Sequence, residues 1–332
     1  MPLKLLLSFL LAICLNPRAI AQEVKKPMVI HQAISTPDFG YLPTLFGRAK
    51  GMFAQENIDL KLLVVSVRVA LPALLAKEVH FATAGSALPA SLRGSPVKAM
   101  FFSYKTSTFQ LVVRPEITAA QNLKGKTISI STPGSSNDIA SRLILKRLGL
   151  EPGRDVNLLR SGDSQARVLG MEPGTVAGSA VNPDVAAFLT GKGYRILMNS
   201  ADVYPVPFSG MSVHDEVIRD NPDLIKRWLR AHIRAMLQIR KNPEEAAQVA
   251  AKELKMNADI AIGATKLLLP AISGEDPGGF TDKGMRLNME LSGSRLGMDT
   301  NKIPISQVAD VALLREVQRE LGIHCKDGYQ CK

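Results

Sequence analysis

Residues 127–137 read Thr-Ile-Ser-Ile-Ser-Thr-Pro-Gly-Ser-Ser-Asn. A strand-length stretch, Thr127 to Ser131, runs into a Pro133-Gly134 turn. Beyond Ser135, Ser136 and Asn137, apolar residues Ile139, Leu143, Ile144 and Leu148 recur at helical spacing. A small, polar strand-to-helix turn of this kind places hydroxyls and free backbone N–H groups at a helix start, where a small polar or anionic molecule can be held. A second such turn lies earlier. Downstream of Phe39-Gly40-Tyr41-Leu42-Pro43, the strand pattern Val79–Thr83 enters Ala84-Gly85-Ser86 and then a helix, Ala87–Leu92. Two separate α/β segments carrying such turns describe a two-lobed binding protein.

The surrounding pattern supports that reading. Val29–Ile34, Ile58–Val65, Val79–Thr83 and Val97–Phe102 are predicted strands with helices between them, which implies a parallel sheet with right-handed crossovers. Phe109–Val113 is a further strand. A second cycle runs from Thr127 through Tyr194–Met198, and Ser209–Val213 is again strand-like. From Asn221 the chain is mostly helical, with helices expected from Pro222, from Pro243, over Ala258–Leu269 and over Val308–Leu321. The expected division is 1–21 leader, 22–113 first part of lobe one, 114–211 lobe two, and 212–332 the rest of lobe one with its helical tail. Crossings near Val112–Arg114 and Phe208–Ser212 form a hinge, and the cleft between the lobes holds the ligand.

Composition bounds the function. The chain has 332 residues, room for two domains, and its 46% hydrophobic content supplies real cores. Lys4, the apolar stretch Leu5–Leu15 and Ala19-Ile20-Ala21 form a signal peptide with cleavage after Ala21, so a soluble exported protein starting near Gln22 is expected. Leu11-Ala12-Ile13-Cys14 departs from a lipoprotein box at Ile13, which argues against an anchor at Cys14. The net charge of +11 becomes +9 without the leader. The basic residues are scattered, apart from Lys226, Arg227, Arg230 and Arg234 on the polar side of one helix. No nucleic-acid motif is present. Cys325 and Cys331 lie six apart in the exported chain's last residues, where a small disulfide loop is the natural reading in an oxidising compartment. A metal site needs more ligands than His324 beside them, and no cofactor is expected.

Each candidate binding residue has a structural reading beside the functional one. Ser135 and Ser136 serve equally as helix caps or as ligand donors, while Gly134 lets the backbone approach a ligand. Gly85 and Ser86 follow the same logic. Asp38, Phe39 and Tyr41 follow the first strand, whose carboxyl end faces the crevice; Tyr41 is also a candidate hydrophobic staple. Ser66 and Arg68 follow the second strand. Arg68 suits a carboxylate, sulfonate or phosphate, although an exposed Arg is the ordinary case. Asn182 and Asp163 sit at strand ends in lobe two, Asp163 as a helix cap, and Phe208 lies at the return crossing. Aromatic content is only 5%, which turns the expectation from ring-lined sugar sites towards a small polar or anionic organic ligand.

The residues also resemble a known family. Gly40-Tyr41-Leu42-Pro43, Ala49-Lys50-Gly51-Met52-Phe53, Asn57-Ile58-Asp59-Leu60 and Leu71-Pro72-Ala73-Leu74-Leu75-Ala76 match the sulfonate/nitrate/taurine-type solute-binding proteins of ABC importers, a superfamily shared with thiamine-pyrimidine synthases. Leu123-Lys124-Gly125-Lys126-Thr127-Ile128, Pro133-Gly134-Ser135, Pro205-Val206-Pro207-Phe208-Ser209-Gly210, Asn221-Pro222-Asp223-Leu224-Ile225-Lys226 and Lys241-Asn242-Pro243-Glu244-Glu245-Ala246 match as well. The resemblance covers the chain to about residue 260. It implies the type II periplasmic binding fold, a periplasmic monomer that binds without catalysis, and an ABC permease as partner. His80 stands where the family usually carries Asp in a turn.

An alternative is a ligand-sensing protein that docks a membrane sensor instead of a permease. A pyrimidine-precursor enzyme is less favoured. Its cysteine-rich motif is missing, the five histidines show no metal-ligand spacing, and no Gly-x-Ser-x-Gly elbow is present.

Overall fold

The computed structural model describes residues 26–162 and 164–331. The expected leader 1–21, with Cys14, and Asp163 lie outside them.

Among the described residues, ten strands make two five-stranded sheets. The first holds β1 (Met28–Ile34), β2 (Ile58–Val64), β3 (Phe81–Thr83), β4 (Val97–Tyr104) and β10 (Phe208–His214), in the order β2-β1-β3-β10-β4. The second holds β5 (Gln110–Val113), β6 (Thr127–Ile130), β7 (Asn157–Arg160), β8 (Gly178–Val181) and β9 (Arg195–Asn199), in the order β7-β6-β8-β5-β9. Both sheets are mixed. In each, the antiparallel member is the strand that arrives from the other lobe: β10 between β3 and β4, β5 between β8 and β9. The purely parallel sheet expected from the β-α alternation is corrected on this point, because a strand crossing from the opposite lobe enters with reversed direction.

The connections between sheets therefore lie at 105–109 and 200–207, just before the strands where the crossings were expected. They are tied together. The Ser107 hydroxyl is 2.7 Å from that of Ser200. The Ser107 N–H donates to the Tyr204 carbonyl, and the Ser200 N–H to the Phe109 carbonyl at 2.8 Å.

Lobe one carries α1 (Leu42–Ala49), α2 (Met52–Gln55), α3 (Val67–Leu75) and α4 (Ala84–Leu92). Lobe two carries α5 (Ser136–Arg147), α6 (Ser164–Leu169) and α7 (Pro183–Gly191). The tail is α8 (Asp215–Asp220), α9 (Pro222–Lys241), α10 (Pro243–Glu253), α11 (Ala258–Leu268), α12 (Asp282–Leu296), α13 (Ile305–Val308) and α14 (Ala312–Glu320). The core of lobe one closes around α9. Its Trp228 is fully buried and stacks on Phe81, ring centroids 4.1 Å apart. Four buried polar groups there form a complete circuit. The Trp228 indole donates to Gln32 Oε1 at 3.0 Å, the Gln32 amide lies 3.4 Å from Thr44 Oγ1, Thr44 Oγ1 lies 2.9 Å from His232 Nε2, and His232 Nδ1 lies 3.0 Å from the Trp228 carbonyl. That carbonyl only accepts, so His232 carries its proton on Nδ1 and accepts at Nε2. Burial lowers the His232 pKa to about 3, keeping the ring neutral.

The tail does not pack on lobe one alone. Gly263 of α11 sits against Ala187 of α7, and Leu267 joins the lobe-two cluster around Met171 and Leu189. Helix α12 puts Met285 and Met289 into the lobe-one core, while its Leu287 and Leu291 pack with Ile139, Ala140 and Leu143 of α5. The Cys325–Cys331 disulfide is present. Its loop is anchored by Tyr329, which stacks on Phe280 and whose carbonyl accepts from Arg315. Among the described residues no helix is long and apolar enough to cross a membrane.

Candidate functional site

A cleft of about 410 Å³ opens between the two sheets. Its walls are the turns at the carboxyl ends of β1, β3, β6 and β8, the two inter-sheet connections, and one face of α12. Parallel β-α units put their loops on this side, so both lobes present helix starts and turn hydroxyls to the same space.

On the lobe-one wall, Asp38 opens a single helical turn, Phe39–Tyr41, and its Oδ1 accepts from the Gly40 N–H at 2.8 Å. Burial pushes the Asp38 carboxyl up to about 6; the Gly40 amide opposes this and the charge of Asp184 adds to it. Tyr41 is more than a staple. Its hydroxyl is 2.8 Å from Thr83 Oγ1, which ties the β1 turn to the end of β3. Helix α4 begins at Ala84, three residues earlier than expected, so Gly85 lines the cleft from the first turn itself. The Ser86 side chain lies outside the described part of the molecule.

On the lobe-two wall the Pro133-Gly134 stretch is a locked turn. Ser135 caps α5, accepting from the Asp138 N–H at 3.3 Å, and its Oγ lies 2.6 Å from that of Ser131. Asn137 Oδ1 accepts from the Ser131 N–H at 2.8 Å, and the Asp138 carboxylate accepts from the Gly134 N–H at 2.7 Å. Ser135 is therefore the cap. Ser136 lines the cleft beside Tyr204. Burial pushes the Tyr204 hydroxyl up to about 12, against the charge of Arg295 and the nearby Ser136 hydroxyl. Gly134 has φ +78°, and a Cβ there would stand 2.9 Å from Arg295 Cδ; it lies beside the cleft rather than in its wall. Asn182 lines the cleft at the start of α7, and its side chain makes no capping bond to that helix.

The cleft thus gathers Asp38, Phe39, Tyr41, Gly85, Ser135, Ser136, Asn182 and Phe208 from the sequence-based candidates. Ser66 and Arg68 are exposed at the start of α3 and do not line it. Arg167, Tyr204 and Arg295 were not found by sequence reasoning. Arg167 lines the cleft although only 4% exposed, with Nη1 on the Gly162 carbonyl at 3.0 Å. The expectation of a ring-poor site is also corrected. Of the chain's 11 Phe and 5 Tyr, six, namely Phe39, Tyr41, Phe102, Phe109, Tyr204 and Phe208, border this one space. Among the described residues the one group with metal-ligand proximity is Asp276, Cys325 and Cys331, and its two sulfurs are bonded to each other rather than available as thiolates.

Two mixed sheets of matching strand order, with a cleft at their facing ends, define the class of two-lobed periplasmic-type binding folds. Known structures bear this out. The aliphatic sulphonate binding protein SsuA from Escherichia coli superposes with a TM-score of 0.69 at 16% identity, covering 85% of this chain and 97% of that one. The nitrate-binding protein NrtA from Synechocystis PCC 6803 gives 0.69 at 16% identity, covering 89% of each chain. The NMT1/THI5-like family profile matches residues 38–246, and the chain belongs to that family. A curated relative, the riboflavin-binding protein RibY of Chloroflexus aurantiacus, is 27% identical over 219 residues, which is 63% of this chain and 62% of the relative's own length.

Proposed function

We propose that the protein is the solute-binding component of an ABC importer. It captures a small polar or anionic organic molecule between its lobes and delivers it to a permease in the membrane. The observation that carries this reading is the inter-sheet cleft, into which both lobes turn hydroxyls, amides and rings from strand ends. The family membership and the named binding-protein neighbours support it, as does a leader-like segment consistent with export to the periplasm. Ligand entering the cleft gains contacts from both walls. The closed state is then favoured only to the extent that the ligand binds it more tightly than the open one. Binding without chemistry is the action proposed.

The six bordering rings refine the ligand. The neighbours' names span nitrate, sulfonates and riboflavin. A ring-lined space of about 410 Å³ suits an organic body much better than a bare nitrate ion. The test is a thermal-shift screen of residues 22–332 against sulfonates, carboxylates, nitrate, pyrimidines, purines and flavins. A ligand that binds only the native state stabilises it by about 2.7 kcal/mol at a hundredfold excess over its Kd. A hit among the ring-bearing compounds is the expected result. Silence across the whole panel would count against the importer reading.

A further inference from the structure

The charged groups of the cleft sit on different walls. Arg167 lies on α6; its carbonyl accepts from Ser129 Oγ and its Nη1 donates to the Gly162 carbonyl. The turn after β6 carries Gly134, whose carbonyl accepts from Arg295 Nη1 of α12, which ties that guanidinium to the lobe-two wall. Asp38 stands on the lobe-one wall, within electrostatic range of Asp184 at the start of α7. Arg295 in turn acts on Tyr204.

Arg295 comes from the tail, not from either α/β unit. Met285, Asn288, Ser292 and Arg295 all line the cleft, spaced as one face of α12, so this helix is a third wall. A guanidinium offers five N–H donors, of which the Gly134 carbonyl engages one group. Asp38 gives Oδ1 to Gly40, leaving acceptor capacity on the carboxylate.

We propose that the cleft selects a dipolar ligand, with a cationic or hydrogen-bond-donating nitrogen at Asp38, an anionic oxygen group at Arg295, and a flat apolar body between the bordering rings. This rests on the importer reading of the same cleft and makes Asp38 and Arg295 its specificity-determining pair. A purely anionic ligand would leave the largely buried Asp38 carboxylate uncompensated, and a purely cationic one would leave the exposed Arg295 donors unused.

The test is calorimetric titration of residues 22–332 with three probes of one shape: 4-(aminomethyl)benzoate, benzoate and benzylamine. The zwitterion is expected to bind at least about tenfold more tightly than either single-charge probe, the usual range for a charge-assisted hydrogen bond. Asp38→Asn keeps an acceptor for the Gly40 N–H and should erase the zwitterion's advantage over benzoate. Arg295→Gln should erase its advantage over benzylamine, and Arg295→Lys should restore part of it. Unchanged melting curves confirm that the variants fold. Benzoate or benzylamine binding as tightly as the zwitterion, no zwitterion binding at all, or native preferences in both Asp38→Asn and Arg295→Gln would overturn the proposal. Such a failure beside a hit in the wider ligand screen sinks the dipolar assignment alone; failure in both sinks the importer reading too.

Discussion

Gln32 and Asp38 lie a few residues apart on β1 and the turn that follows, yet their polar groups meet opposite conditions. Gln32 enters a circuit with Thr44, Trp228 and His232 in which each group finds a partner in the core of lobe one. Asp38 shares its carboxylate with one backbone amide and otherwise faces a cleft. A closed circuit of neutral groups recovers the desolvation cost and fixes one packing arrangement. A desolvated carboxylate with acceptor capacity to spare keeps that cost until a ligand arrives. Burial alone does not separate structural from binding residues. Satisfaction of the buried groups does.

The largest break in this comparison is in the core. Trp228→Ala removes the stack on Phe81 and the donor to Gln32, and should cost about 3–5 kcal/mol by denaturant titration. A native unfolding midpoint would show that the circuit is not what holds lobe one together.

The two regions should also answer pH with opposite signs. Asp38 has a folded pKa raised from 3.8 to about 6, so its contribution is fully present below the lower value and lost as pH rises through the upper one. At pH 8 the ligand-free protein then carries on the order of 3 kcal/mol of cost, at most, that Asp38→Asn removes. The variant's melting temperature should exceed that of the native chain at pH 8 and approach it at pH 4. His232 has a folded pKa lowered from 6.5 to about 3, so its contribution is present above pH 6.5 and is lost as pH falls towards 3. A gap between Asp38→Asn and native protein that does not change with pH would contradict the Asp38 assignment.

The comparison sharpens within one turn. Ser135→Ala removes the α5 cap and should lower stability by about 1 kcal/mol. Ser136→Ala should leave the melting temperature nearly unchanged and weaken ligand binding instead. Equal effects of the two on stability would erase the distinction between cap and cleft serine. The smallest effect is expected from Arg68→Ala. This exposed residue outside the cleft should change stability by no more than about 0.5 kcal/mol and leave the affinity for any panel ligand as it was.

The limits of legibility are instructive in α12. Its segment includes Gly284 and Gly293, which lower helix propensity and weaken its helical signal in the sequence. Packing demands both. A Cβ at position 284 would stand 2.6 Å from the Pro205 carbonyl oxygen, and one at 293 would stand 2.3 Å from the Thr300 methyl. The composition argument against rings failed for a related reason: an average over the chain says nothing of where six Phe and Tyr side chains converge. Arg68 stands out in the sequence because it follows a strand, whereas Arg167 and Arg295 carry no such signal, but lying after a strand does not decide whether a side chain lines the cleft.

Local chemistry wrote much of this protein into the sequence. The strand and helix periods, the Pro-Gly and Ala-Gly-Ser turns, the two α/β units and the terminal cysteine pair all depend on residues close together in the chain, so they are visible without the fold. Tertiary structure alone decided the antiparallel strand exchanged into each sheet, the span of α12 across both lobes, the gathering of the rings and the arrival of Arg167 and Arg295 at the cleft. These depend on groups far apart in sequence, with no local period to record that they will meet.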